Sequence, residues 1–294
     1  MNSSTADDVA RLQDWVGREE VAEDEASLPL VRRMAALLDL DPDRFRRGDA
    51  LPENWHTLFF TPVAGQSQLG PDGHPRKGDF LPPVPLPRRM FAGRRLRFLA
   101  PLPIGSALRR TSTVAAITHK TGRSGEMVFV RVEHAVAADG QVVLREEHDI
   151  VYRPEAPPGA GAPPPVQEAA LPEPDLREPY APDPVTLFRY SALTFNGHRI
   201  HYDLPYTREQ EGYPNLVVNG GLTALRFGEL AKRLLPGNRL GRLAVRNVRP
   251  FFLGAAGELL GKQEGDGSVR LWALDGKGRP IATAEASDRP GEGA

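Results

Sequence analysis

Residues 221–286 read GLTALRFGELAKRLLPGNRLGRLAVRNVRPFFLGAAGELLGKQEGDGSVRLWALDGKGRPIATAEA. Leu222, Leu225, Leu230 and Leu234 recur near helical spacing, which predicts a helix over Gly221–Leu235, stopped by Pro236-Gly237. The period then changes. Arg239–Leu253, Gly257–Lys262, Val269–Leu274 and Pro280–Ala286 read as strands, with Asp266-Gly267 and Asp275-Gly276 marking the hairpins. One helix followed by a meander is an α+β pattern, because neither element can bury its apolar side alone.

The first half ends in the same way. Arg94–Ala100, Ser106–His119, Met127–Ala137 and Val142–Tyr152 read as strands, broken by turn signals at Pro101–Gly105, Thr121–Gly125 and Asp139-Gly140. Val128, Val130 and Val132 hold one face of their strand. Upstream, Asp8–Glu20 and Ser27–Leu40 carry apolar residues at helical spacing, and Leu51–Pro87 is too rich in Pro and Gly to stay regular. Pro154–Pro174, with PPGAGAPPP at its centre, reads as an extended linker. The expected division is an N-terminal domain over 1–153, a linker over 154–175 and a C-terminal domain over 176–294. A single helix against a strongly bent antiparallel sheet is the hotdog architecture. Two such halves predict a double hotdog: two bent antiparallel sheets, with the central helix clearest in the C-terminal half.

The 294 residues carry a formal net charge of -1, which implies no general pull toward nucleic acid or an anionic membrane. With no cysteine, disulfides, Cys-ligated zinc, iron–sulfur clusters and thiol catalysis are excluded together. The N-terminus lacks the basic start and apolar core of a secretory signal, and no window approaches the roughly 18 apolar residues of a spanning helix. A cytoplasmic protein without membrane or nucleic-acid partners is expected.

The chemistry concentrates in residues 190–221, YSALTFNGHRIHYDLPYTREQEGYPNLVVNGG. Thr186–Leu193 reads as strand-like, and Gly220-Gly221 opens the helix. Polar side chains beside a helix start form a common arrangement for stabilising developing negative charge. His201 is the candidate general base, since an imidazole exchanges protons near neutral pH. Asn196 orients water or an imidazole but accepts no proton. Asp203 is a candidate second carboxylate, and it also reads as a solvent-facing residue. His198, His201 and Asp203 together resemble a metal set, but the spacing lacks a further framework and no metal is expected. Arg88, Arg89, Arg94, Arg95 and Arg97 read either as phosphate contacts or, preferably, as a solvated basic face; Arg246 and Arg249 carry the same two readings. Phosphate-cradling loops, dinucleotide fingerprints and a Gly-x-Ser-x-Gly elbow are all missing, so oxidoreductase, NTPase and serine hydrolase readings have no support.

Asn196-Gly197-His198-Arg199-Ile200-His201 resembles the Asp-x-Asn-Pro-x-His signature of MaoC-like hydratases, with His201 at the family's His and Asn196 at its Asp. Val218-Asn219-Gly220 falls where that family has Val-His-Gly at its helix start. RYSALTFNGHRIHYD is similar to the signature of the hydroxyacyl-thioester dehydratase type 2 group, in which Asn already replaces Asp, and GDFLPPVPLPRRMFAGRRLRFLAPL further upstream also resembles that group. That group includes mesaconyl-CoA and itaconyl-CoA hydratases. The resemblance, over about Leu51 to Asp288, implies a hydro-lyase that reversibly hydrates an α,β-unsaturated acyl-CoA. His201 and Asn196 would hold the water and the N–H of Gly220 would take the oxyanion. No cofactor is implied, coenzyme A being part of the substrate, and a homodimer is compatible with the architecture. A dehydratase on carrier-protein thioesters and a non-catalytic thioester-binding module remain as alternatives.

Overall fold

The computed structural model of the chain describes residues 11–76, 80–122, 125–154 and 171–289. Its strands are β1 (Glu19–Glu25), β2 (Arg88–Phe98), β3 (Ala107–Gly122), β4 (Gly125–Ala138), β5 (Gln141–Arg153), β6 (Leu176–Pro179), β7 (Arg242–Asn247), β8 (Gly257–Gln263), β9 (Val269–Asp275) and β10 (Pro280–Ser287). They form one antiparallel sheet of 10 strands in the order β1-β3-β4-β5-β2-β7-β10-β9-β8-β6. The strands from before residue 154 occupy one side of this sheet and those after 171 the other. They meet where β2 pairs with β7, through Gly93↔Arg246 to Arg97↔Arg242. The two separate sheets expected from the sequence are thus joined edge to edge, which removes two edges whose backbone groups would otherwise need covering.

The strands follow their residues closely. In β4, Val128, Val130, Val132 and Val136 are at most 2% exposed, while the alternating Arg131 and Glu133 face solvent. The β4–β5 hairpin turns at Asp139-Gly140 with φ of 47° and 88°, as a two-residue turn matched to strand twist requires.

The helices are α1 (Leu28–Leu37), α2 (Pro184–Leu193), α3 (Leu204–Glu209) and α4 (Gly220–Leu234). α4 lies against β7, β8, β9 and β10 and buries Leu222, Leu225, Phe227 and Leu230. Each such side chain contributes roughly 1.5–3 kcal/mol through area removed from water. The same core continues into the first half through Val31, Met34, Leu96 and Leu144.

Two sequence readings are corrected. Thr186–Leu193 is helical, not a strand: Asp183 accepts the N–H of Thr186 at 2.7 Å, Pro184 occupies the first turn, and Leu187, Tyr190 and Ser191 form the buried stripe. Of the helix expected over Asp8–Glu20, the described part ends in a 3-10 turn at Gln13–Trp15, and Glu19 already pairs in β1, where β3 offers it an edge. Most of the expected linker, residues 155–170, lies outside the described residues. Among the described residues no helix is long and apolar enough to cross a membrane.

Candidate active site

Past α2 the chain turns sharply at Phe195, whose φ is 47°. The N–H of Asn196 donates to the Ser191 carbonyl at 2.8 Å, and Asn196 Oδ1 accepts the N–H of His198 at 3.0 Å. This local Asx bond shapes the turn that delivers His198 and the 3-10 turn Arg199–His201. Asn196 is therefore a shaping residue in the free protein.

His201 is 8% exposed. Its Nδ1 donates to the Val217 carbonyl at 2.7 Å, because a carbonyl can only accept. The proton is fixed on Nδ1 and Nε2 keeps its lone pair. Burial pushes the imidazole down to about 4; the Val217 bond acts the other way, and nearby His74 adds to the depression. The residue is neutral, with a basic nitrogen available, throughout the physiological range.

Val217 also ties the histidine to the helix start. Its N–H donates to the Ile200 carbonyl at 2.9 Å, Val218 N–H donates to Phe251 at 2.8 Å, and α4 begins two residues later at Gly220. Asn219, at the N-cap position, does not cap. Its Nδ2 donates to Ser191 Oγ at 3.2 Å, and its Oδ1 is buried without a partner. The first N–H groups of a helix have no intrahelical acceptor, and the Asn219 side chain does not supply one here. Asn247 backs Gly220, and the Tyr190 hydroxyl lies against Gly221. Burial pushes that phenol up to about 12.

Asp203, the candidate second carboxylate, is occupied elsewhere. It caps α3 by accepting the N–H of Tyr206 at 3.1 Å and pairs with Arg199 at 2.8 Å; these bonds, the backbone one foremost, hold it below the usual carboxylate range. The His198, His201 and Asp203 set considered for a metal is accordingly not assembled. The groups that do converge are Asp72, His74 and His198, one ligand atom of each lying within 4.8 Å of the others. Asp72 and His74 were not singled out in the sequence. They sit in the irregular Leu51–Pro87 stretch, where Asp72-Gly73-His74 carried only a turn signal. Their loop docks on the turn that carries His198 and His201: Arg199 N–H donates to the Asp72 carbonyl at 2.9 Å, and Arg199 Nη1 donates to the Pro71 carbonyl at 2.9 Å. The His74 and His198 rings lie 4.1 Å apart, and those of His198 and His201 5.5 Å apart. Burial above all pushes His198 down to about 3.

A second polar cluster lies on the inner face of β2–β5. Glu146, 7% exposed, accepts from His148 at 2.6 Å, His56 at 3.0 Å and Arg94 at 3.4 Å; Arg94 also donates to Asn54 Oδ1 at 2.9 Å. Arg95 faces outward and pairs with Glu147 and Asp149. These two arginines of the basic cluster are thus committed to carboxylates, as is expected of structural rather than phosphate-binding cations. The side chain of Arg88 lies outside the described residues. Arg249 donates to the Pro280 carbonyl at 2.8 Å. A cleft of about 510 Å³ lined by Phe45, Trp55, Arg226 and Arg233 runs along the later turns of α4, and none of His198, His201 or Gly220 lines it.

Residues 54–253 match the family described as hydroxyacyl-thioester dehydratase type 2. The chain is 44% identical over 256 residues to a mesaconyl-C(4)-CoA hydratase of Chloroflexus aurantiacus, covering 86% of this chain and 89% of the relative. Among solved structures, a MaoC-like dehydratase from Phytophthora capsici superposes with a TM-score of 0.69 at 19% identity, covering 95% of this chain and 97% of that one. A Mycobacterium tuberculosis protein described as a double hotdog superposes with a TM-score of 0.51 at 15% identity, covering 93% and 96%. The fold is a double hotdog.

Proposed function

The chain belongs to the hydroxyacyl-thioester dehydratase type 2 family and is a hydro-lyase; from the geometry around His201 we propose how it adds and removes water at an acyl-CoA. The observation that carries the mechanism is the bond from His201 Nδ1 to the Val217 carbonyl. It leaves Nε2 as acceptor and ties the imidazole to the segment that runs into the start of α4. In the hydration direction Nε2 takes a proton from water, and the oxygen attacks the β-carbon. Negative charge moves to the thioester oxygen, which lies against the N–H of Gly220, where the helix start concentrates partial positive charge. Asn196 shapes the turn and orients the water through its amide. The α-carbon then takes a proton from an acid of the site, which the proton gained by His201 replaces, so the addition is complete with no net change in the enzyme's protons.

The acyl group is a branched dicarboxylic one, as in the mesaconyl-C(4)-CoA named for the relative at 44% identity. Coenzyme A enters as part of the substrate, with no further cofactor. The C-terminal domain over 176–294 carries Asn196, His201 and Gly220, and the N-terminal domain over 1–153 forms the opposite wall. The arrangement of their strands in two contiguous blocks of one sheet supports that division. The protein works in the cytoplasm, and two copies pair.

The test is His201→Ala assayed on mesaconyl-C(4)-CoA and on the simpler crotonyl-CoA. Wild type is expected to hydrate the first with the higher kcat/KM, and the variant to lose about 10²–10⁴-fold on both, the worth of general acid–base catalysis. Turnover within a few-fold of wild type, with an unchanged melting curve, removes His201 from the mechanism.

A further inference from the structure

Asn196 accepts no proton, so it leaves the C-terminal cluster with His198 and His201 as its proton-exchanging groups. The structure brings another from the first half of the chain. Asp72 holds His74 twice: Oδ1 accepts its backbone N–H at 3.1 Å, and Oδ2 accepts Nδ1–H at 3.0 Å. The carboxylate engages Nδ1–H, as the Val217 carbonyl does for His201, and leaves Nε2 of His74 as the atom that exchanges protons. The placement is built, not incidental. Gly73 (φ 86°) and Gly197 meet backbone to backbone: a Cβ on Gly73 would come 2.0 Å from the Gly197 carbonyl oxygen, and one on Gly197 2.8 Å from that of Gly73. Only glycine at both positions lets the two turns touch this closely. Arg199 then bonds the Pro71 and Asp72 carbonyls. The outcome is a row of three imidazoles, His74, His198 and His201, each within ring contact of the next.

We propose that His74, oriented by Asp72, is the second acid–base group of the site and delivers the proton to the α-carbon. This rests on the hydratase reading above. In hydration the proton leaves water for His201 Nε2 as the C–O bond forms at the β-carbon. The C=C π pair moves onto the thioester oxygen and returns as a C–H bond forms at the α-carbon with the proton that a doubly protonated His74 carries on Nε2, leaving His74 neutral on Nδ1–H. His201 has then gained one proton and His74 has lost one. His198, between them, passes one proton across by accepting on one ring nitrogen and releasing from the other, and the enzyme is restored with no net proton change. Dehydration runs the same steps backward. The charged and titratable groups around His74 are Asp72 on its own loop and His198, Arg199 and His201 on the facing turn.

Steady-state kinetics of the full chain on mesaconyl-C(4)-CoA test it, with His74→Ala, Asp72→Asn and His201→Ala side by side. Expected are a fall in kcat of about 10²-fold for His74→Ala, a smaller fall for Asp72→Asn, and KM within a few-fold for both. Added imidazole is expected to restore His74→Ala in proportion to its concentration, a response that a merely structural loss would not give. If His201→Ala is inactive while His74→Ala keeps wild-type kcat, the proposal alone is overturned. A His201→Ala that stays active overturns the hydratase reading beneath it. Loss of wild-type activity in EDTA with recovery in zinc would make Asp72, His74 and His198 a metal centre and would also overturn the proposal.

Discussion

Gly221→Ala measures how tightly the helix start is held. A Cβ at this position would come 2.3 Å from the Tyr190 hydroxyl oxygen and 3.3 Å from its Cζ. Tyr190 is 4% exposed and its hydroxyl is bonded to Thr57, so it has little room to yield. Overpacking of this kind costs about 1–3 kcal/mol, against which alanine returns at most about 1 kcal/mol of helix propensity. The net loss of about 1–2 kcal/mol corresponds to a melting temperature lower by about 2–8 °C. Displacement of the first turn by about 1 Å would lower kcat by up to about 10²-fold. Tyr190→Phe removes the clashing oxygen and leaves Cζ as the nearest contact; alone it costs about 0.5–1.5 kcal/mol for the lost hydrogen bond. The double variant should therefore be more stable than the two single losses predict, by about 1 kcal/mol. Gly220→Ala, whose Cβ would meet Asn247 Nδ2 at 3.3 Å, should cost less. Urea unfolding of the wild type and the four variants, with initial hydration rates, provides the measurement. Strict additivity of Gly221→Ala and Tyr190→Phe would refute the steric account.

Asn196→Asp preserves the acceptor for the His198 N–H and should keep kcat within about threefold, while Asn196→Ala should lose about tenfold, the worth of one hydrogen bond; equal losses would show that the acceptor is irrelevant. Glu146→Gln leaves Arg94 without its buried counter-charge and should cost about 3–5 kcal/mol in urea unfolding; a loss below about 1 kcal/mol would mean the cluster is not held by charge. Acid should destabilise the protein below about pH 6.5. His134, His198 and His201 are held down at about 3, 3 and 4 chiefly by burial, so the unfolded chain binds protons that the folded chain refuses. This stability is fully present above pH 6.5 and is lost as pH falls toward those values, at about 1.4 kcal/mol for each unit of a histidine's depression. A urea midpoint at pH 5 equal to or above that at pH 7.5 would contradict it.

By itself the sequence determined what short-range physics controls. The strands β2–β5 and β7–β10 follow from period-two patterning and turn chemistry, and α4 from leucines at helical spacing ahead of Pro236-Gly237. His201 was legible because its neighbours in the chain are also its neighbours in the site. Thr186–Leu193 misled because an eight-residue stretch of apolar residues interrupted by Arg189 and Ser191 fits either period; the Asp183 cap and the burial of Leu187 and Tyr190 decided for helix. What only the tertiary structure decided involves partners far apart in sequence. The union of the two sheets depends on β2 meeting β7 across about 150 residues, a register set by which faces must be buried together. The commitment of Arg94 to Glu146 and of Asp203 to capping could not be read from residue type, since a charge does not announce its partner. The largest gap was the Asp72–His74 loop. No local pattern marks two turns that touch through Gly73 and Gly197; the contact exists because the fold lays a segment from the first half across the His198–His201 turn of the second.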